Sequence, residues 1–283
     1  MSRPRILLAI PVYNEEKYVS KVLSEIQAFV APNGRRCCSR CGVDSVLVVD
    51  DGSTDATPME LAKHRVEVIR HAENRGYGRS MQDMFRWASF DGFDWLITMD
   101  CDEQHEPASI PAFVEAICQD DADVVSGSRY LRSTPADDLP PGDRRRINAT
   151  ITDEVRTRLA LELTDSFCGF KAYRVAACER LSLDVDGYDF PMQFWPQAAA
   201  HGLRVREIPV RLIYNDPNRS FGGPLDDPGH RLTTYRQTMH REILALRGRL
   251  PAAATAGLEL RDACCCCPRH KADERESNWT VGG

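Results

Sequence analysis

The chain has 283 residues, 42% hydrophobic and 28% charged, with a net charge of −6. That length can bury a full core, so one large domain, or one with an appendage, is expected. The acidic balance argues against a general nucleic-acid binder, and no apolar run approaches the roughly 20 residues that span a bilayer.

Arg3, Pro4 and Arg5 lead directly into a strand-like run instead of a secretory apolar region, so the expected location is cytoplasmic, either free or peripheral on the inner face of a membrane. Arg5 to Ile10 reads as a buried strand that closes in Pro11-Val12-Tyr13-Asn14-Glu15-Glu16. Tyr18, Val19, Val22, Leu23, Ile26, Phe29 and Val30 then recur at helical spacing, with Asn14 placed to act as N-cap. After a loop over 31–44, Ser45 to Val49 forms a second strand ending in Asp50-Asp51-Gly52-Ser53-Thr54-Asp55. Thr54 or Asp55 caps a short helix through Lys63, and Val66 to Arg70 is a third strand. Asn74-Arg75-Gly76-Tyr77-Gly78 turns into a helix carrying Met81, Met84, Phe85 and Ala88. This turn is not a dinucleotide fingerprint, because the third glycine is missing and the first strand ends in Pro-Val-Tyr.

Trp95 to Met99 is the next strand, followed by a helix over Ile110, Phe113, Val114 and Ile117 and a strand over Asp123 to Gly127. Strand and helix alternate throughout residues 1–130, which predicts an α/β fold with a mostly parallel central sheet and helices on both faces. Past Arg129 the pattern changes. Residues 132–146 read as a mobile loop that orders around substrate, and Ile147, Ile151, Val155, Leu159 and Leu163 share one helical stripe. Gly169 to Arg174 is a short strand, Asp189 to His201 a helix with Pro191 near its start, and Arg204 to Ile213 an edge strand interrupted by Pro209. A last helix runs from about His230 to Arg247. The organisation expected is a ligand-binding half over 1–130, a second half of the same domain over 131–250, and a poorly ordered tail over 251–283.

Eleven cysteines are many for a cytosolic chain. Cys101, Cys118, Cys168 and Cys178 stand singly in apolar surroundings and read as small buried side chains. Cys37, Cys38 and Cys41, with Cys264 to Cys267 and His270, are either the two halves of a zinc site or local loop and tail cysteines.

The chemistry concentrates at Trp95-Leu96-Ile97-Thr98-Met99-Asp100-Cys101-Asp102-Glu103-Gln104-His105. A run of β-formers stops abruptly in two carboxylates spaced i, i+2 and then an amide. In open α/β sheets ligands bind at the carboxyl ends of the strands. Hard cations such as Mg²⁺ or Mn²⁺ take carboxylate and amide oxygens and complete their shells with ligand phosphates, which suits Asp100, Asp102 and Gln104. Alone, an Asp-x-Asp is most often a polar loop after a core strand. Here three strands end in polar signatures on one sheet edge: Pro11 to Glu15, Asp50 to Asp55 and Asp100 to His105.

Together with Ser126-Gly127-Ser128-Arg129-Tyr130, these motifs resemble a family 2 glycosyltransferase of the GT-A fold, nearest to the dolichol- and polyprenol-phosphate mannosyl- or glucosyltransferases. The resemblance covers about residues 5 to 245. It implies an inverting transferase that uses Mg²⁺ or Mn²⁺ and a GDP- or UDP-hexose donor. By resemblance, Pro11, Tyr13 and Glu15 wall the nucleoside, and Asp50 and Asp51 lie near base and ribose. Asp102 and Gln104 hold the metal, with Asp100 and Cys101 beside the sugar and diphosphate, and Arg129 meets phosphate. Thr164-Asp165-Ser166-Phe167-Cys168-Gly169-Phe170-Lys171 resembles a segment near the acceptor, and Arg219-Ser220-Phe221-Gly222 the start of a motif that closes over phosphates.

The chain departs from that motif at Pro224 and Leu225, where Ser and Lys are expected. Arg231, His230 or Arg144-Arg145-Arg146 then supplies the cation, or the acceptor differs. A polyprenyl phosphate acceptor needs cations, whereas a soluble or glycan hydroxyl needs a general base, for which Asp165 is the candidate. A nucleotidyltransferase and a non-catalytic nucleotide-sugar-binding protein are the readings from other classes. The former lacks the expected glycine-rich basic loop after the first strand.

Overall fold

The computed structural model describes residues 3–30, 42–132, 137–214, 220 and 222–259. Strands β1 (Ile6–Val12), β2 (Ser45–Asp50), β3 (Glu67–Arg70), β4 (Trp95–Thr98), β5 (Val124–Ser128), β6 (Lys171–Arg174) and β7 (Val205–Pro209) form one sheet ordered β3-β2-β1-β4-β6-β5-β7. β1 is buried along its whole length except at Pro11, so it reads as an unbroken apolar run, as a strand covered on both faces must.

The strand period of two sends alternate residues into two separate cores. Ile6, Leu8 and Ile10 face α1 (Val19–Ile26) and α4 (Ile110–Gln119). Leu7 and Ala9 face α3 (Tyr77–Phe90), α5 (Gly142–Leu159), α7 (Phe190–Ala200) and α8 (Pro228–Ala245). Two short helices, α2 (Thr57–Leu61) and α6 (Val175–Cys178), follow β2 and β6. Each fully buried leucine or isoleucine on these faces contributes about 1.5–3 kcal/mol relative to exposure.

The sheet is mostly parallel, as expected, and the site is built where it departs from that. β6 runs antiparallel to both β4 and β5 and separates them. Its Lys171 pairs with Thr98, so the chain enters β6 at the carboxyl end of β4 and carries Cys168 and Gly169 up to the Asp100 loop. β7 pairs with β5 alone and is the sheet edge, which tolerates Pro209.

Several expectations need correction. The segment 132–146 is not a loop throughout: α5 begins at Gly142, so Arg144, Arg145 and Arg146 stand on its first turns. The fixed φ of Pro141, immediately before the helix, favours that start. α5 ends at Ala160 in the left-handed region, which leaves Leu163 off the helix though still buried. Asn14 does not cap α1; it has φ 55°, and its side-chain oxygen instead accepts from Thr54 N at 2.8 Å, tying the β1 and β2 loops together. Cys118 is exposed, because it falls on the outer face of α4. Within the segment expected as tail, residues 252–255 form a 3-10 turn, with Arg158 donating to Ala254 O and Ala256 O at 3.0 Å, and residues 260–283 lie outside the described residues. Cys37, Cys38, Cys41 and Cys264 to Cys267 lie outside the described residues.

Candidate active site

A cavity of about 570 Å³ opens where β1, β2 and β4 end. Pro11, Tyr13, Glu15, Asp51, Asp100, Cys101, Asp102, Gln104 and Arg129 all line it. Asp50 and Asp165 lie behind its wall, and Arg219 is outside the described residues.

Backbone hydrogen bonds fix the acidic end. Glu15 N donates to Thr57 Oγ1 at 2.8 Å, and Asn14 N to Ser53 Oγ at 2.9 Å. Asp51 accepts from Arg75 N and Gly76 N at 2.8 Å, so its carboxylate shapes the glycine turn as well as facing the cavity. Behind it, His71 bridges Asp51 at 2.6 Å and Asp83 at 3.0 Å. Asp50 is buried; it accepts from Ser53 N at 2.9 Å and meets Arg70 Nε at 3.2 Å, an ionic contact without good hydrogen-bond alignment.

The Asp100–Gln104 loop is held from below. Asp102 accepts from Gln104 N at 3.1 Å, and Glu103 between them takes φ 59°, which L residues adopt at a cost. His105 braces this turn. Its Nδ1 accepts from Asp100 N at 2.9 Å, which places the ring proton on Nε2, and the ring packs on Phe170 at 5.2 Å. Burial drags the His105 pKa to about 4 against the pull of Asp102, so the ring is neutral near pH 7. Gly169 makes room for Asp100: a Cβ there would sit 2.5 Å from Asp100 Oδ2.

Among the described residues no cluster of three His, Cys, Asp or Glu side chains stands ready for a metal. The oxygens of Asp100, Asp102 and Gln104 at the cavity wall are nonetheless the hard donors that Mg²⁺ and Mn²⁺ take, and they leave positions for phosphate oxygens. The donor set fits a divalent cation shared with a bound diphosphate.

Four cations, Arg129, Arg144, Lys171 and Arg231, line the same cavity. Arg129 makes a bidentate pair with the fully buried Asp165, Nε to Oδ2 at 2.7 Å and Nη2 to Oδ1 at 3.0 Å. Burial alone would raise the Asp165 pKa, but Arg129, Asn148 and Lys171 bring it down to about 2. Arg231 donates to Leu225 O at 2.9 Å and to Asp143 Oδ2 at 2.6 Å, tying the starts of α5 and α8. Lys171 donates to Cys168 O, and its ammonium lies 5.5 Å over the Trp195 ring.

Comparison with known proteins decides the family. The model of Glycosyl transferase family 2 matches residues 8–182. The chain belongs to that family. It is 30% identical over 225 residues to an undecaprenyl-phosphate mannosyltransferase of Micrococcus luteus, covering 76% of this chain and 86% of that one. It is 29% identical over 215 residues to a polyprenol monophosphomannose synthase of Mycolicibacterium smegmatis, covering 73% and 76%. Among solved structures, a glucosyl-3-phosphoglycerate synthase from Mycobacterium tuberculosis, in complex with Mn²⁺, UDP and glucosyl-3-phosphoglycerate, superposes with a TM-score of 0.62 at 18% identity. The superposition covers 87% of this chain and 80% of that one, and establishes the GT-A fold. This family 2 transferase was legible at its strand ends. His105, Asn148 and Lys171 were not assigned roles from sequence, because their contacts cross between segments far apart in the chain.

Proposed function

We propose that the protein is a metal-assisted, inverting hexosyltransferase that moves a hexose from a GDP- or UDP-hexose to a polyprenyl phosphate. The observation that carries this reading is that one cavity gathers both charges: the carboxylates Glu15, Asp51, Asp100 and Asp102, and the cations Arg129, Arg144, Lys171 and Arg231. A nucleoside and a metal suit the carboxylates, and the phosphates of donor and acceptor suit the cations. The M. luteus and M. smegmatis relatives are named for lipid-phosphate acceptors, which supports the same choice.

Asp102 and Gln104, with Asp100 beside them, would hold the divalent ion, whose charge would offset that of the departing diphosphate. Arg129 is placed to share that load, and Asp165 holds its guanidinium in register. A phosphate monoester has its second pKa at about 6 and is already a nucleophile near pH 7, so it needs no base. A hydroxyl acceptor would need one. Asp165 is a poor candidate, being sealed under Arg129 with its pKa near 2. A single in-line displacement by the acceptor oxygen inverts the anomeric centre, and no step passes through an enzyme-bound sugar.

The test is release of nucleoside diphosphate by purified protein from GDP-mannose, UDP-glucose and UDP-N-acetylglucosamine with Mn²⁺. A short-chain polyprenyl phosphate, 3-phosphoglycerate and neutral sugars serve as acceptors. Release that requires Mn²⁺ and polyprenyl phosphate is expected. Transfer to a neutral hydroxyl alone would overturn the acceptor, and absence of both turnover and donor binding would overturn the whole reading. Peripheral contact with a membrane follows from the acceptor, and no helix among the described residues is long and apolar enough to cross one.

A further inference from the structure

Beyond the Asp100 loop the cavity continues between α3, β6 and α7. Tyr77 and Ser80 on α3, Lys171 and Tyr173 on β6, and Phe194 and Trp195 on α7 line this part. Its walls are largely aromatic: Tyr77 stacks on Tyr188 at 5.8 Å, and Tyr173 meets the edge of Phe194 at 5.3 Å. Polar groups stand among them, including the Lys171 ammonium, which donates to Cys168 O, and the Ser80 hydroxyl.

Ser80 is the anomaly. The residue has no exposed surface, and its Oγ has no hydrogen-bond partner among the described residues. Buried hydroxyls are ordinarily paired, and a lone one carries an uncompensated desolvation cost. Its neighbours do not account for it. Ser80 N already closes the first turn of α3 onto Gly76 O at 3.1 Å, and that turn is locked to the 185–187 segment by Gly78 N donating to Asp186 O at 2.7 Å. Ser80 therefore stands in a rigid part of the cavity lining, with its hydroxyl buried and unpaired among the described residues.

Aromatic walls with a few placed polar groups suit a pyranose, whose C–H faces pack on rings while its hydroxyls need donors and acceptors. A lipid tail would have no use for the hydroxyl or the ammonium. The mouth of the compartment is also the Asp100 loop, since Asp100 lies against Gly169 just before β6. A sugar attached to a diphosphate at Asp100 and Asp102 would reach directly inward.

We propose that this compartment receives the hexosyl group of the donor and that Ser80 Oγ hydrogen-bonds one of its hydroxyls, making Ser80 a determinant of which hexose is accepted. This rests on the donor reading above, and it deepens that reading by naming the sugar contact.

The experiment is calorimetric binding of UDP, GDP, UDP-glucose and GDP-mannose, with Mn²⁺, to wild type and to Ser80→Ala. The substitution removes an unpartnered buried hydroxyl, so the melting temperature should hold or rise. Affinity for UDP and GDP should be unchanged, while the preferred nucleotide sugar should bind about three- to tenfold more weakly, as loss of one neutral hydrogen bond predicts. If the variant binds both nucleotide sugars as wild type does, the Ser80 contact is wrong although the donor reading stands. An equal loss for the bare diphosphates would place the effect outside the sugar and overturn the contact. Wild type that binds none of the four ligands would overturn the donor reading and the subsite with it.

Discussion

The two ends of the cavity are built by different means. At the end proposed above for the donor, each stretch continues a buried strand, and neutral groups position it: Arg75 N and Gly76 N on Asp51, Thr57 under Glu15, His105 under Asp100. At the end proposed above for the acceptor, opposite charges bind the residues, Arg129 to Asp165 and Arg231 to Asp143, and outside the cavity the same helices α5 and α8 are tied by Glu154 to Arg158 and Arg236. A site held by the backbone can lose one charge and keep its fold. A site held by buried ion pairs cannot, because removing one partner strands the other.

That contrast predicts its largest effect at Asp165. Asp165→Ala should destabilise the protein by about 3–5 kcal/mol in urea unfolding, the usual consequence of leaving a buried charge unpaired. Asp165→Asn should fall between it and wild type, and in both variants transfer should drop because Arg129 loses its register. A loss under about 1 kcal/mol in Asp165→Ala, no more than a surface change brings, would break the comparison.

At the donor end, Asp102→Ala should leave the urea midpoint close to that of wild type. Metal-dependent binding of nucleoside diphosphate should weaken by about 100-fold or more, since even residues behind the ligands cost 10- to 100-fold at metal sites. Calorimetry with and without Mn²⁺ checks it. Unchanged Mn²⁺-dependent affinity would remove Asp102 from the metal site.

Acid should loosen the two ends in order. Asp165 and Glu154 both have pKa values lowered to about 2. Burial alone would raise both, but Arg129 outweighs it at Asp165, and His240, Arg236 and Arg158 outweigh it at Glu154. With folded values below unfolded ones, each stabilises the protein above its unfolded pKa, near 4, and that contribution fades as pH falls toward 2. Asp165 alone accounts for on the order of 2 kcal/mol. Hydrogen exchange at pH 3 should therefore show α5 and α8 losing protection before β1 and β2. Simultaneous loss would show that the ion pairs do not set the order.

The same contrast explains what could be read from the chain. The donor end is local in sequence: an apolar run followed at once by Asp100-Cys101-Asp102 or Pro11-Val12-Tyr13 announces both a strand and the chemistry at its end. The acceptor end is assembled across distance. Nothing near Asp165 reveals that Arg129, 36 positions earlier, takes both its oxygens, so from sequence it reads as a candidate base and not as a buried counter-ion. The antiparallel entry of β6 was equally hidden, because Lys171 to Arg174 reads the same in either direction. The start of α5 was missed for a different reason: Arg144-Arg145-Arg146 lacks an apolar stripe, and its helix is anchored downstream by Ile147, Ile151 and Val155.

The smallest effect expected is at Glu207, and it asks whether charge or merely hydrogen bonding organises the acceptor end. Glu207 on β7 accepts from Thr164 N at 2.9 Å, Thr164 Oγ1 at 2.7 Å and Asp165 N at 3.1 Å, all neutral donors. Burial raises its pKa, outweighing those bonds, and the neighbouring Asp165 charge pushes it the same way. Its contribution is therefore greatest below the ordinary carboxylate range and is lost as pH rises through the raised value, the reverse of Asp165. Glu207→Gln keeps one carbonyl for Thr164 and removes a disfavoured charge, so gain and loss nearly cancel. The urea midpoint at pH 7 should shift by less than about 1 kcal/mol, within the net worth of a single hydrogen bond, and transfer should be retained. A loss as large as that of Asp165→Ala would show that the hydrogen-bonded scaffold beneath Thr164, and not the Arg129–Asp165 pair, holds the acceptor end together.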